Sequence, residues 1–166
     1  MSQLTLYYKS NGVGGFYIMS YEFLHTMYKM PKSVVDNIHN ENELINTIRN
    51  KFYAEYAKNF ITFSHLSLNV WSKLLPVSLS TLQRELKNTL EKHILDLSIS
   101  ESLVEVGEIY DIGLLAFDKD KDRLNEWLNT KNKYFNSKKP LEIMDNHKGR
   151  ELVKNELIRI EYSEFA

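Results

Sequence analysis

Few side chains in this sequence of 166 residues are placed to do covalent chemistry. Cysteine is absent, which removes a disulfide framework, a thiolate metal site and a cysteine nucleophile. The five histidines stand at positions 25, 39, 65, 93 and 147. None is paired with another histidine at i, i+4, so no metal site is expected. An enzyme needs a nucleophile, a positioned acid–base pair or a metal, and no spacing here supplies one. The carboxylates fall opposite apolar stripes, where they solvate helices. We therefore expect no catalytic residues, no metal and no cofactor. Gly12, Gly14 and Gly15 tempt a phosphate-loop reading. They fit neither Gly-x-Gly-x-x-Gly nor a Gly-Lys-Ser/Thr ending, and a flexible turn is the simpler reading.

The remaining chemistry is that of recognition. Near the end of the sequence, Arg159-Ile160-Glu161-Tyr162-Ser163 is followed by Phe165 and Ala166. A free tail does not normally carry two aromatics, so Tyr162 and Phe165 pack either on the chain's own core or on a partner. Earlier, Leu66 to Lys87 reads as two short helices. Ser67 caps one whose inner face is Trp71, Leu74 and Leu75. Pro76-Val77 turns the chain, and Ser78 caps a second helix with Leu82 and Leu86 at i, i+4. Two helices so joined describe a helix-turn-helix.

The elements that position these residues read as helical. Leu4 to Tyr8 alternates and suits a short strand, whereas Phe16 to Lys29 is spaced as a helix. Ser33 to Ile38 suits a turn or two of helix after Pro31. Glu41 to Phe60 steps by four through Leu44, Ile48, Phe52 and Tyr56, predicting one long helix. Ser98-x-x-Glu101 has the form of a capping box opening a helix through Leu103, Val106, Tyr110, Leu114 and Phe117. Gly107 and Gly113 near its inner face suit close helix approach. Asp120 is a candidate cap for a helix carrying Leu124, Trp127 and Leu128. Residues 130–139 are polar without periodicity and read as a loop. Pro140 suits a first helical position, with Leu141 and Met144 facing inward. Asp145 or Asn146 caps a last helix through Val153, Leu157 and Ile160. The expected fold is all-α, a helical bundle. We expect a segment of uncertain order at 1–30, a helical region at 31–97 containing the helix pair at 66–87, and a second small helical domain at 98–166.

Composition sets limits on partners. The formal net charge is −1, so any nucleic-acid surface has to be local. No apolar run approaches the roughly 18–20 residues of a membrane span. The N-terminus lacks a basic start followed by an apolar run, and a cytoplasmic location is expected.

Trp127-Leu128, Asn132, Pro140-Leu141-Glu142-Ile143-Met144-Asp145, Gly149 and Arg159-Ile160-Glu161-Tyr162 keep a recognisable order and spacing. This stretch resembles the toxin-binding domain of the Xre/MbcA/ParS antitoxins, which neutralise RES-domain toxins. That family's pattern runs Trp-Leu, Pro-Leu-x-Leu-Leu-Asp, a Gly, and Arg-Ile-Glu-Tyr-Gly-x-x-Ala. The resemblance implies an antitoxin of a type II pair whose partner toxin uses or consumes NAD. It places Arg159, Ile160, Glu161, Tyr162, Ser163, Phe165 and Ala166 over the toxin's active-site cleft, Arg159 and Glu161 as polar contacts and Tyr162 and Phe165 as anchors. Ser163 stands where the family has Gly, and Asn136-Ser137 replaces its usual Gly pair. The stretch from Leu75 to Arg84 is similar to the family's Leu-Gly-Ile-Ser-x-x-Thr-Leu-Gln-Arg, with Pro76 in place of Gly. The implied operator contacts are Ser78, Ser80, Thr81, Gln83, Arg84 and Lys87, since Gln and Arg read base edges and hydroxyls take phosphates. Leu79 sits among them and is out of character for a DNA-facing surface. A homodimer or a hetero-oligomer with the toxin is the expected assembly. Two alternatives stay open: a repressor without a toxin, and a helical assembly protein dimerising through the Phe16–Phe60 region.

Overall fold

The computed structural model describes residues 5–7, 17–19, 21–87 and 92–163, with only the backbone at 5–7, 17–19 and 163. The fold is all-α apart from one small ribbon. Strands β1 (Thr5–Tyr7) and β2 (Tyr17–Met19) pair antiparallel, Leu6 opposite Ile18. The first strand agrees with the alternation at Leu4–Tyr8. The second corrects the helix expected from Phe16: the helical spacing holds only from Glu22, where α1 (Glu22–Thr26) begins. The glycine cluster at 12–15 lies outside the described residues.

Ten helices follow among the described residues. After α1 come α2 (Lys32–Val35), α3 (Glu41–Lys51), α4 (Ala54–Ser64), α5 (Leu68–Leu74), α6 (Leu79–Lys87), α7 (Leu97–Ala116), α8 (Lys121–Leu128), α9 (Pro140–Ile143) and α10 (His147–Ser163). The single helix expected over 41–60 is two. At Phe52 the backbone turns extended, with φ −91° and ψ 97°. The Phe52 carbonyl accepts the Leu95 amide at 3.0 Å, and the Ala54 amide donates to the His93 carbonyl at 2.9 Å. A two-residue bridge therefore takes the backbone groups that a continuous helix would use. Phe52 and Tyr56 keep their four-residue step across the break, which is why spacing alone hides it.

Capping explains most boundaries. Asn40, Ser67 and Asp120 each accept backbone amides one turn ahead. For α7 the cap is Asp96, whose carboxylate takes the Ser98 amide at 2.9 Å and the Ser98 hydroxyl at 2.6 Å. The helix start expected at Ser98 is thus displaced by two residues, because the Asp96 carboxylate caps the Ser98 amide and Ser98 falls inside the helix.

The helix α7 is the axis of the molecule. It is apolar on most of its circumference, as a helix surrounded by others must be, and Leu103, Val106, Ile109, Tyr110 and Ile112 are fully buried. It packs on α1, α3 and α4 on one side and on α8 and α10 on the other. An aromatic cluster fills the first side: Tyr28 stacks on Phe60 at 4.4 Å, and Phe60 meets Trp71 and Tyr110 edge-on. The Tyr28 hydroxyl donates to the Leu103 carbonyl at 2.5 Å. Gly107 makes that approach possible, since a Cβ there would lie 2.2 Å from the Tyr28 oxygen. Gly113 does the same for Leu124 of α8, at 2.5 Å.

Candidate functional site

The C-terminal unit is assembled from α8, the connection to α9, and α10. Asp120 accepts the Asp122 and Arg123 amides and starts α8, which sinks Leu124 and Leu128 into the core. Trp127 lies between Phe117 and Phe135, its ring centroid 6.0 and 6.2 Å from theirs. The connection expected as an unstructured loop is ordered. Asn132 caps a short 3-10 turn, Lys133–Phe135, and bridges back to Lys138. Phe135 is buried beneath it, an anchor missed because a lone aromatic in a polar run has no periodicity.

Asn136 and Ser137 close this turn with φ of 53° and 62°. These are left-handed positions that glycine occupies without strain. The two residues stand at the place of the glycine pair noted in the sequence.

Pro140 opens α9, where its lack of an amide hydrogen costs nothing. Met144 is fully buried below it. Asn146 then caps α10 through the Gly149 amide at 3.0 Å. Gly149 lies so close to α9 that a Cβ would come within 1.5 Å of the Ile143 carbonyl oxygen. Of the motif's residues, this glycine has the clearest steric reason.

Arg150 is the buried hub of the unit. Its guanidinium donates to Glu105 at 2.5 Å, to the Met144 carbonyl at 2.9 Å, to the Leu74 carbonyl at 3.2 Å and to the Ser102 hydroxyl at 3.4 Å. One side chain thus ties α10 to α9, α7 and the end of α5. Lys154 continues the row, 2.7 Å from Glu108. Because 105 meets 150 and 108 meets 154, α7 and α10 run parallel, and Val153 and Leu157 fill the seam. Sequence reading passed over Arg150; its partners lie up to 76 positions away, and spacing cannot reveal them.

The row stops at Asp111, one turn beyond Glu108. Burial and the neighbouring Glu108 charge push its carboxyl up to about 6.

The proposed recognition residues Arg159, Ile160, Glu161, Tyr162 and Ser163 form the last turn of α10. Arg159 is exposed and holds Glu156 by two bonds of 2.8 and 2.6 Å, which raises its already high pKa. Glu156 itself is buried, so Arg159 acts as its solvent-facing counter-ion. Ile160, Glu161 and Tyr162 are half-buried. Phe165 and Ala166 lie outside the described residues.

The other candidate set lies on α5 and α6. Leu75, extended ahead of Pro76 with ψ 151°, ends α5, as a residue before proline tends to. Ser78 accepts the Thr81 amide at 3.2 Å and engages the Ser80 and Thr81 hydroxyls at 3.0 Å each. The structure brings these three together at the start of α6. Arg84 is exposed and 3.3 Å from Glu85, whose carboxyl is depressed chiefly by its 2.6 Å bond with His93. Gln83 and Lys87 face a different way, lining an open groove with Ile61, Leu68 and Leu86. Leu79 is half-buried. Among the described residues no cluster of three or more His, Asp or Glu is arranged to hold a metal ion, and no helix is long and apolar enough to cross a membrane.

Residues 115–162 match the family described as the antitoxin Xre/MbcA/ParS C-terminal toxin-binding domain. Over this segment the chain is similar to that family. The matched span runs from the end of α7 through α8 and α9 to the last turn of α10, and it contains the capped turns, Gly149 and the Arg150 hub. The Xre/MbcA/ParS resemblance seen in the sequence is therefore upheld, and with it a toxin-binding role for this part of the chain. No curated protein matches the chain in a sequence comparison.

Proposed function

We propose that this chain is the antitoxin of a type II toxin–antitoxin pair and that it neutralises a RES-domain toxin that consumes NAD. The match of residues 115–162 to a toxin-binding domain carries this reading. In it, the last turn of α10 and the residues after it cover the toxin's active-site cleft. Arg159 and Glu161 make the polar contacts, Ile160 and Ser163 complete the covering turn, and Tyr162, Phe165 and Ala166 seat in the NAD pocket. The exposed Arg159 fits this role, since arginine and aromatic residues dominate interface hot spots. Inhibition is steric and needs no catalytic group on the antitoxin. The unit at 98–166 acts as the toxin-binding part, and the region at 31–97 as its carrier.

The test is co-expression with the protein encoded by the adjacent open reading frame, comparing the full chain with one ending at Ile160. Rescued growth and a stable complex with the full chain, both lost on truncation, are expected. Absence of any complex with the full chain defeats the proposal.

A second role is operator binding by the α5–α6 pair, through Ser78, Ser80, Thr81, Gln83, Arg84 and Lys87. The exposed Ser78, Ser80 and Arg84 favour it. A band shift with the promoter region, lost in Arg84→Ala, is expected. A blank lane with and without toxin removes this role and leaves the first intact.

A further inference from the structure

Five large apolar side chains are strongly exposed among the described residues, and two of them, Tyr134 at 52 % and Leu152 at 48 %, flank one groove. The groove has a volume of about 660 Å³ and lies between the 3-10 turn and the first turns of α9 and α10. Its floor includes Phe135 and Ile143, and its rim carries Lys138 and Lys148 beside acidic residues. Every residue that lines it falls inside the matched toxin-binding segment, 115–162. The groove beside Gln83 and Leu86 lies wholly outside that segment.

Tyr134 is presented rigidly. Asn132 accepts its amide at 2.9 Å, and its ring stands edge-on to the buried Phe135 at 5.1 Å. A tyrosine fixed in this way loses little conformational freedom on binding. An exposed aromatic and an exposed leucine around an apolar floor, with a mixed-charge rim, make the centre-and-rim pattern of a protein interface. Leu152 and Arg159 are seven residues apart on α10, about two turns, so the groove and the last turn lie along one side of that helix.

We propose that the groove between Tyr134 and Leu152 is a second docking surface for the toxin, which grips the body of the domain there by an apolar side chain while the end of α10 covers its cleft. The proposal rests on the antitoxin reading above. It makes the interface two-part: an anchor on a rigid body and an inhibitory segment some turns away.

The experiment is calorimetric titration of the adjacent-gene toxin into the full chain and into Tyr134→Ala, Leu152→Glu and, as a control, Ile45→Glu. Ile45 is comparably exposed at 41 % but lies on α3, outside the matched segment. Leu152→Glu is expected to weaken binding about 100-fold and Tyr134→Ala about tenfold, in line with central interface residues. Ile45→Glu is expected to bind like the parent. Hydrogen exchange on the unsubstituted chain gives an answer that does not depend on variant folding: toxin should protect amides at 133–138 and 148–152. Unchanged affinity in both groove variants, or no protection there while the chain binds toxin, overturns the groove and spares the antitoxin reading. Loss of self-association in Leu152→Glu with toxin affinity unchanged also overturns it, giving the groove to a second copy. Failure of the unsubstituted chain to bind toxin overturns both.

Discussion

At the residue scale, four positions are under conformational, steric or electrostatic constraint that substitution can expose. Ser137 sits at φ 62°, where an L residue other than Asn or Asp is strained. Ser137→Gly should therefore raise stability by roughly 0.5–1 kcal/mol, and Asn136→Gly by less, because Asn tolerates the left-handed region better. Urea titration of the two variants against the parent checks the order. Gly149→Ala should do the opposite, and severely. Its new methyl would overlap the Ile143 carbonyl, and forcing α9 from α10 should cost on the order of 3 kcal/mol. A large fall in the thermal midpoint is expected. Asp111 supplies a pH test. Its carboxyl titrates near 6 when folded, above the unfolded value of about 4. A raised carboxyl favours the folded state while protonated, so its penalty is absent below about pH 4, grows as pH rises, and is complete above the folded pKa. Asp111→Asn should thus stabilise the protein by about 1–2 kcal/mol at pH 7.5 and by almost nothing at pH 4. Equal gains at both pH values would contradict this account.

At the element scale, the contrast between what sequence shows and what it hides follows contact range. The helices α5, α6, α8 and α10 were legible because their caps and apolar repeats are local: Ser67, Ser78, Asp120, Asn146, and the steps through Leu82 and Val153. The break at Phe52 was not, since its cause is pairing with His93 and Leu95 some 40 residues on. The anchor Phe135 was hidden for want of a repeat. The site residues divide in the same way. The order of Trp127, Pro140, Gly149 and Arg159 was visible as a pattern, whereas Arg150 gains its meaning only from Glu105, Leu74 and Met144. This hub yields its own prediction. Arg150→Leu leaves Glu105 to His147 alone, 2.8 Å away, and strands two buried carbonyls, so a loss of about 3 kcal/mol is expected. Adding Glu105→Leu should recover part of it, because a paired burial replaced by packed apolar groups is far less damaging than one partner left alone. Denaturant titration of both single variants and the double measures the coupling.

At the scale of the whole molecule, α7 joins an aromatic core on one side to the matched domain on the other, and α10 seals the second side. Val153 and Leu157 of α10 are fully buried against it, yet α10 is the last of the described helices. During synthesis, α1 to α6 emerge first and can gather around Tyr28, Phe60 and Trp71, while the other flank of α7 waits uncovered for residues 147–157. Domains form from the N-terminal side as the chain appears, so this seam of α7 closes only once α10 has emerged, and Arg159 arrives with it. A nascent chain interrupted before α10 leaves both an open apolar seam and no Arg159. Such a fragment exposes apolar surface of the kind that chaperones and proteases act on.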